Sequence, residues 1–292
     1  IITPGSPLPP SIRLIECTGV VSNDDSARQA IRQRKESSMW RCVEAVTNGD
    51  ADACISGGNT TAFFAMGYHQ LKRLPGVLRP AMCGTIPTAK GSCLVLDLGA
   101  NVDTSPENLV QFAQMGQALA SSMKLNGIDQ HKVALLNIGE EVGKGNNQVR
   151  LAAVLLHEDD NINYCGFIEP SRVFFEDVDI LVCDGFVGNI MLKASEGAAN
   201  FIQHSVKQHF GQSWLHKLLG LMAMPFVKSI GHRVNPQAFN GAFLLGLDGL
   251  VVKSHGAADV IGFQCALEKT ISCVEQGLLA NTAKNFEQYR EI

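Results

Sequence analysis

The sequence of 292 residues lacks the patterns that mark several common kinds of functional site. It has nine cysteines but no C-x-x-C pair, and its eight histidines include no H-E-x-x-H motif. Disulfide frameworks usually have an even number of cysteines, and zinc sites usually contain one of these motifs. We therefore interpret the cysteines as small buried residues in a reducing compartment, and we expect neither a metal ion nor a cofactor.

Neither a nucleic-acid-binding protein nor a membrane-spanning protein is indicated. Lysine and arginine total 24 against 28 acidic residues, a net charge of −4, whereas nucleic-acid-binding domains are usually basic. The proline-rich start at 1–10 is neither a signal peptide nor a membrane span, and it lacks an initiator methionine, so we expect upstream residues. With 46% hydrophobic and 18% charged residues, 1–292 has a globular composition, and we expect a single α/β domain.

The stretch 180–193 organises the rest of the chain. Its first four residues are apolar and predict a buried strand, which Asp184, Gly185 and Gly188 interrupt. From Asn189 onward the apolar residues follow helical spacing, so we expect Asn189 to lie at the start of a helix. The stretch therefore predicts a strand, a glycine-containing turn and a helix.

Three further stretches repeat this unit. Apolar runs at 53–56, 133–138 and 250–252 are each followed by a glycine-containing turn and a helical segment, and three of the four turns contain Gly-Asn. Ligands bind at the carboxyl ends of parallel strands, and helix N-termini offer free N–H groups to anions. We expect the four turns to converge on one phosphate-type cleft. The alternative is that glycine and asparagine serve only as turn and cap residues.

Shorter signals predict other elements. Ile12–Glu16 is a short strand candidate, and the polar residues at 24–26 are typical of a helix start. Ser105 before Pro106 predicts another helix start, because serine caps well and proline suits the first helical position. We expect irregular structure over Pro80–Gly91. The alternation of strands and helices predicts a parallel or mixed sheet with helices on both faces.

Two nucleotide-binding motifs are approached but not met. Residues 139–144 have three residues between the glycines, where a P-loop needs four and a following serine or threonine. Gly143 and Gly145 begin a dinucleotide-binding pattern, but Gln148 stands where its last glycine belongs. We therefore reject both motifs.

The segment 213–230 is apolar almost all round, with Pro225 inside it. It is either a helix pair in a subunit interface or a surface that dips into a bilayer, with lysines near anionic headgroups. We predict a helix–turn–helix protrusion, paired with its twin in a dimer, whose tip contacts the membrane. The predicted membrane-contact residues are Trp214, Leu218, Leu219, Met222 and Phe226.

Seven segments stand in the order and spacing of the bacterial phosphate acyltransferases of phospholipid synthesis, the PlsX family, which this sequence resembles. The segments are 56–60 (SGGNT), 71–76 (LKRLPG), 96–103 (LDLGANVD), 136–141 (LNIGEE), 144–146 (KGN), 183–189 (CDGFVGN) and 252–256 (VKSHG). The resemblance covers nearly all of the chain from about Arg13 onward.

The resemblance implies that an acyl group passes from acyl-(acyl carrier protein) to inorganic phosphate, giving acyl phosphate and free carrier protein. It also implies an α/β/α sandwich with a mostly parallel mixed sheet, of the isocitrate/isopropylmalate dehydrogenase type. A homodimer in the cytoplasm is implied as well, in peripheral contact with the anionic inner face of the cell membrane.

Phosphate is the nucleophile in this reaction, so the protein must hold a dianion near the thioester carbonyl and stabilise an oxyanion. Lys144, in a glycine-flanked loop, is the predicted phosphate-binding charge, and Asn189 is predicted to orient phosphate or donate to the oxyanion. The resemblance points to the same two positions.

Lys193 is a weaker candidate. For His255 two interpretations have equal weight: it protonates the leaving thiolate, or it is a turn residue whose side chain hydrogen-bonds to the backbone. The other predicted substrate-binding or phosphate-binding residues are Gly58, Asn59, Thr60, Gly145, Asn146, Asp184, Gly185 and Gly188.

The sequence departs from the family pattern at two places. The N-terminal strand of the family, with its Gly-Gly-Asp turn, is not in this sequence, and we expect it upstream. The turn at 57–61 starts with glycine and ends with threonine, where the family more often has alanine and glycine.

Two other functions stay open: a phosphotransacetylase-like enzyme using acyl-CoA, and a non-catalytic membrane adaptor that binds acyl carrier protein.

Overall fold

The computed structural model describes residues 9–128, 130–211 and 239–288, which form eight strands and eight α-helices. The strands are β1 Ala53–Ser56, β2 Ala81–Thr88, β3 Gly91–Leu96, β4 Val133–Leu136, β5 Tyr164–Ile168, β6 Ile180–Val182, β7 Ala242–Leu245 and β8 Leu250–Lys253. The helices are α1 Ala27–Gln33, α2 Ser38–Thr47, α3 Thr60–Gln70, α4 Pro106–Ser122, α5 Asn147–His157, α6 Gly185–Gly211, α7 Val260–Glu275 and α8 Leu278–Gln288.

One mixed sheet joins all of these strands, in the order β1-β8-β7-β2-β3-β6-β4-β5. β1 and β8 are parallel neighbours, and β3, β6, β4 and β5 form a second parallel set. β7 and β2 lie between the two sets and pair antiparallel with both of their neighbours. Because three reversals of direction separate β8 from β3, the two parallel sets run in opposite directions.

The two halves of the sheet are also displaced along β2. Ala81 to Cys83 pair with β7, whereas Gly84 to Thr88 pair with β3. We call β1, β8 and β7 the first half-sheet, and β3, β6, β4 and β5 the second half-sheet. β2 is therefore the strand that connects the two.

Helices cover both faces of the sheet. In β8, Leu250 and Val252 join a core cluster with α4, α5, α7 and α8, whereas Val251 joins a cluster with α1, α2 and α3 on the other face. On that other face, Met191 of α6 covers the second half-sheet beside Leu181. Strands buried on both faces have continuous apolar runs rather than alternation. This is why β4, β6 and β8 could be predicted from the sequence.

Serine side chains cap the N-termini of three helices. Ser26 accepts a hydrogen bond from the Gln29 amide at the start of α1. Ser105 accepts one from the Asn108 amide, and the Asn108 side chain returns a bond to the Ser105 backbone. Ser37 begins α2 in the same way. These caps satisfy backbone N–H groups that have no partner inside the helix.

Two local predictions are wrong. Pro80–Gly91, expected to be irregular, contains β2, which has the strand-depleted residues Gly84 and Pro87. Pro87 lies beyond the part of β2 that pairs with β7, where a missing N–H is tolerated. Ile12–Glu16 is not a strand: among the described residues no strand lies beside it, and Leu14 is 63% exposed.

The predicted protrusion at 213–230 lies outside the described residues and stays a prediction. Within the described ranges, no helix combines the length and the apolar character needed to cross a bilayer.

Candidate active site

The four glycine-containing turns lie in two groups, one in each half-sheet. The turns after β4 and β6 belong to the second half-sheet, and the turns after β1 and β8 belong to the first. In the first half-sheet the two turns touch, since the Gly57 carbonyl oxygen lies 3.2 Å from where a Cβ on Gly256 would stand. The antiparallel strands β7 and β2 reverse the direction between the two sets, and convergence of the two groups of turns on one cleft stays a prediction.

Asn137 holds the turn after β4. Its Nδ2 donates to the Lys144 carbonyl oxygen at 3.2 Å, and its Oδ1 accepts from the Ile138 amide at 2.9 Å. Gly145 has a φ of 89°, and a Cβ there would come within 2.2 Å of the Asn137 Oδ1. Only glycine fits beside Lys144 in this geometry. No role for Asn137 was predicted from the sequence, although this residue directly follows a buried strand.

Lys144 is exposed on this turn. Its stem packs over Gly139, where an added Cβ would lie 3.0 Å from the Lys144 Cγ. Its backbone amide donates to the Glu141 carbonyl at 3.0 Å. Within the described ranges its ammonium group has no hydrogen-bond or ion-pair partner. A cation on a constrained turn is therefore available to an anionic ligand.

Helix α6 begins at Gly185, four residues before Asn189. Asp184 caps it, because its Oδ1 accepts from the Val187 amide at 2.8 Å. Asn189 therefore lies inside the helix, and its predicted position at the helix start is wrong. Glycine has low helix propensity, so the sequence pattern placed the start after Gly188 instead of before Gly185.

The two glycines at the start of α6 permit close packing on the turn after β3. A Cβ on Gly185 would lie 2.6 Å from the Asn101 carbonyl oxygen, and one on Gly188 would lie 2.0 Å from the Asp97 carbonyl oxygen. The Gly185 amide also donates to the Asn101 carbonyl at 2.8 Å. These contacts set the position of the helix that carries Asn189. A direct role of the two glycines in substrate binding stays a prediction.

Asn189 packs on Gly99 of the same turn. Its Cβ and Cγ lie 3.7 Å, and its Nδ2 lies 3.8 Å, from the position of a Cβ on Gly99. The side chain is half-buried. Its carboxamide has no hydrogen-bond partner in residues 9–128, 130–211 or 239–288. Lys193, one turn further along α6, is exposed.

Asp97 organises the turn on which Asn189 packs. Its buried carboxylate accepts five hydrogen bonds of 2.6 to 3.2 Å, from the amides of Met82, Gly99, Ala100 and Asn101 and from the Asn101 side chain. Burial raises the pKa of the Asp97 carboxyl, while the bonds from Ala100, Met82 and Asn101 act to lower it. No role for Asp97 or Asn101 was predicted from the sequence. A polar turn after a buried strand was the available signal.

A cleft of about 410 Å³ opens beside these turns, between the N-termini of α5 and α6. Asn146 and Asp184 both line it. Asn146 caps α5, since its Oδ1 accepts from the Val149 amide at 2.9 Å. The second half-sheet therefore places Lys144 and Asn146 on the turn after β4, Asp184 on the neighbouring turn after β6, and Asn189 in the helix that follows that turn.

In the first half-sheet, Asn59 has a structural position. Its Oδ1 caps α3 by accepting from the Ala62 amide at 3.0 Å. Its Nδ2 donates to the carbonyls of Ser22, Asn23 and Asp25 at 3.0 to 3.1 Å. The donors of the side chain are therefore occupied by the segment before α1. Its predicted contact with phosphate stays a prediction.

The neighbours of Asn59 are placed by the same turn. Gly58 is exposed, its amide donates to the Ser56 Oγ at 3.2 Å, and an added Cβ would lie 2.6 Å from the Met39 Cε. Thr60 is the first residue of α3. For both residues, phosphate binding stays a prediction.

His255 is held by backbone contacts. Its amide donates to the Asn240 Oδ1 at 2.8 Å, and its Nδ1 accepts from the Ala257 amide at 3.2 Å. The buried Asn240 also donates to the Ser254 Oγ and the Gly262 carbonyl, each at 2.8 Å. These bonds favour the interpretation of His255 as a turn residue. β8, which precedes it, runs opposite to β4 and β6.

Among the residues that the structure describes, no three histidine, cysteine, aspartate or glutamate side chains are grouped as metal ligands would be.

Comparison with known proteins identifies the family. The family model described as "Fatty acid synthesis protein" matches residues 6–281. A phosphate acyltransferase of Alcanivorax borkumensis is 50% identical over 259 residues, which cover 89% of this chain and 76% of that protein. The chain belongs to the phosphate acyltransferase (PlsX) family. A phosphate acyltransferase of Paraburkholderia phytofirmans is 43% identical over 279 residues, covering 96% of this chain and 75% of that protein.

Membership of the phosphate acyltransferase family confirms three predictions from the sequence: the family itself, the acyltransferase class and a role in lipid biosynthesis. A branched-chain phosphotransacylase from Enterococcus faecalis V583 is 17% identical and has a TM-score of 0.52, covering 82% of this chain and 79% of that chain. At this identity the likeness concerns the fold alone. It confirms a mixed α/β sheet with helices.

Proposed function

We propose that the chain transfers a fatty acyl group from acyl-(acyl carrier protein) to inorganic phosphate, giving acyl phosphate for phospholipid synthesis. The observation that carries the proposal is the placement of Lys144 and Asn189, in a phosphate acyltransferase family member, on the turns and helices after two adjacent parallel strands, β4 and β6. Within the described ranges both side chains have polar groups without partners. They are the groups that an anion and a developing oxyanion need.

In this reaction Lys144 holds the phosphate dianion beside the thioester. A phosphate oxygen attacks the carbonyl carbon and forms the new C–O bond, and the electron pair of the C=O bond moves to the carbonyl oxygen. Asn189 donates to that oxyanion or orients the phosphate. Positioning lowers such barriers by roughly 7–11 kcal/mol, and one oxyanion donor contributes about 2.7–4 kcal/mol.

Collapse of the tetrahedral intermediate breaks the C–S bond and releases the carrier thiolate. A free thiol has a pKa of about 8.5, so water can protonate the leaving group without a dedicated acid. The reaction therefore does not require His255, whose Nδ1 is already bonded to the Ala257 amide. Gly145 and Asn146 complete the phosphate site in this proposal, since the Asn146 Nδ2 has no partner in the described part of the chain.

The finer assembly is also proposed. A single α/β domain of the isocitrate/isopropylmalate dehydrogenase type is supported by the two parallel sets separated by antiparallel strands. A homodimer in the cytoplasm follows from the resemblance. Peripheral contact with the anionic inner face of the membrane rests on the apolar segment 213–230.

The decisive experiment is release of free thiol by the purified full-length protein. Acyl-(acyl carrier protein) and acyl-CoA are compared, each with and without inorganic phosphate. We expect phosphate-dependent release from the carrier-protein thioester and much slower release from acyl-CoA. Preference for acyl-CoA would favour a phosphotransacetylase-like enzyme, and no release from either donor would favour the adaptor function.

The membrane proposal has its own test, the double substitution Leu219→Glu and Met222→Glu. We expect the variant to lose flotation with anionic liposomes while it keeps its oligomeric state and its turnover in solution. Dissociation into monomers or unfolding would assign the segment to the interface core, and the membrane proposal would then be wrong.

A further inference from the structure

We propose that the cleft between the N-termini of α5 and α6 binds the amide-containing arm of the thioester donor, the pantetheine-type arm that acyl carrier protein and coenzyme A share. The inference rests on the proposed acyl transfer and adds to it a binding subsite. It assigns the arm to this cleft, in preference to phosphate or the acyl chain.

The cleft adjoins the proposed reaction centre along three segments of chain. Asn146 lies two residues after Lys144, and Val187 lies two residues before Asn189. Val102 continues the turn whose Gly99 contacts Asn189. A donor arm in the cleft therefore ends beside the residues that hold phosphate and the oxyanion.

The charges of the cleft argue against a second phosphate site. Asp103 and Asp184 both line it, and no lysine or arginine is among the described residues of its walls. Two carboxylates repel a dianion at short range. An uncharged ligand is therefore favoured over phosphate.

The polar groups of the cleft argue against a purely hydrocarbon ligand. Thr104, Asn146 and Gln148 lie in its walls together with the two aspartates. The cap of α6 uses the Oδ1 of Asp184, which leaves the Asp184 Oδ2 to accept a hydrogen bond from a ligand. An acyl chain would remove these groups from water without offering hydrogen bonds.

Apolar side chains alternate with these polar groups. Leu109 and Val149 form buried wall, and Phe186, which is 58% exposed, stands at the start of α6. Small-molecule sites combine such apolar walls with a few polar groups that fix orientation. A pantetheine-type arm has amides separated by short apolar segments, so it satisfies both kinds of surface.

The test compares two donors that share an acyl group and differ in the arm, hexanoyl-pantetheine and S-hexanoyl-N-acetylcysteamine. The variants are Gln148→Met and Thr104→Val in the full-length protein, with Gln33→Met at the exposed end of α1 as the matched control. We expect the wild-type preference for hexanoyl-pantetheine in kcat/KM to fall about three- to tenfold in both variants, as for the loss of a hydrogen bond. The control and the KM for phosphate should not change.

Further donors separate the outcomes. The variants should lose activity equally with acyl-(acyl carrier protein) and acyl-CoA, because both present the same arm. An active variant with an unchanged pantetheine preference would overturn the cleft assignment while leaving the proposed function intact. A changed preference for acyl chain length, measured from butanoyl to dodecanoyl pantetheine, would place the acyl chain there instead. Absence of phosphate-dependent release by the wild type would refute the acyl transfer itself, and the subsite with it.

Discussion

The side-chain amide of Asn137 donates a hydrogen bond to the carbonyl oxygen of Lys144, 3.2 Å away. Asn137 is buried at the end of β4, whereas Lys144 is exposed seven residues later. The bond ties the outer part of the turn to the strand end. It therefore connects a residue of the core to the cation that we assign to phosphate.

Replacing Asn137 by alanine should disturb phosphate binding through this bond. We expect the KM for phosphate to rise about two- to tenfold, the effect of losing a hydrogen bond worth roughly 0.5–1.5 kcal/mol. Steady-state kinetics with varied phosphate measure this. Asn161→Ala, at an exposed asparagine, is the matched control. An unchanged KM for phosphate in folded Asn137→Ala would show that Asn137 does not position Lys144.

Lys144→Ala should impair phosphate use far more than folding, because the side chain is exposed. A hydrogen bond to a charged group contributes about 1.5–3 kcal/mol, so kcat/KM for phosphate should fall roughly 10- to 100-fold. Lys284→Ala, at an exposed lysine of α8, is the control. Wild-type kinetics in a fully folded Lys144→Ala protein would remove Lys144 from the site.

Substitutions at Asn189 and Asp184 should distinguish a catalytic role from a helix-capping role. Asn189 lies inside α6, where alanine has the higher helix propensity, so Asn189→Ala should keep the melting temperature and lose roughly a hundredfold in rate. Asp184 caps the helix, so Asp184→Ala should cost about 0.5–2 kcal/mol of unfolding free energy. Thermal unfolding and turnover are measured for both. Near-normal turnover of Asn189→Ala would exclude its catalytic role.

Asn59→Ala and Asn59→Asp should mainly lower stability. Alanine removes the cap of α3 and the bonds to three carbonyls, so we expect a loss of about 2 kcal/mol or more in denaturant unfolding. Aspartate keeps the cap acceptor but turns an acceptor toward those carbonyls, so it should not rescue stability. A raised KM for phosphate with unchanged stability would instead support the predicted phosphate contact.

Asp25 should contribute to acid unfolding. The hydrogen bonds from Arg34 lower the pKa of the Asp25 carboxyl below its usual value. A carboxyl with a lowered pKa stabilises the folded state above its unfolded pKa of about 3.9, and this contribution is lost as pH falls through the folded pKa. Wild-type stability should therefore fall more steeply below about pH 4 than that of Asp25→Asn. The same dependence of unfolding free energy on pH in the wild type and in Asp25→Asn would contradict this prediction.

Buried strands and helix caps were predictable because they depend on short windows of sequence. β1 was predicted with the observed bounds, since Ala53–Ser56 is an apolar run before a glycine turn. Ser105 was recognised as a cap for the same local reason. β2 was missed, because Gly84 and Pro87 disfavour strands and only its neighbours β7 and β3 compensate.

Within the candidate site, the residue types were easier to predict than their positions. Lys144 was found because glycines flank it, and it does lie on a turn after β4. Asn189 was placed at a helix start, but Gly185 and Gly188 are helical because they pack on the turn of Asp97 and Asn101. Asn137 and Asp97 were missed, because their roles consist of hydrogen bonds inside folded turns.

The order of residues along the chain was enough to recognise the chemical groups of this protein, its strand–turn–helix units and its family resemblance. The sequence could not predict which turns lie side by side, because this depends on pairings between distant parts of the chain, such as Ala81 with Leu245. Those pairings insert β7 and β2 between the parallel sets and reverse their direction. Long-range pairing therefore placed Lys144 and Asn189 after adjacent strands of the second half-sheet, and Asn59 and His255 after adjacent strands of the first.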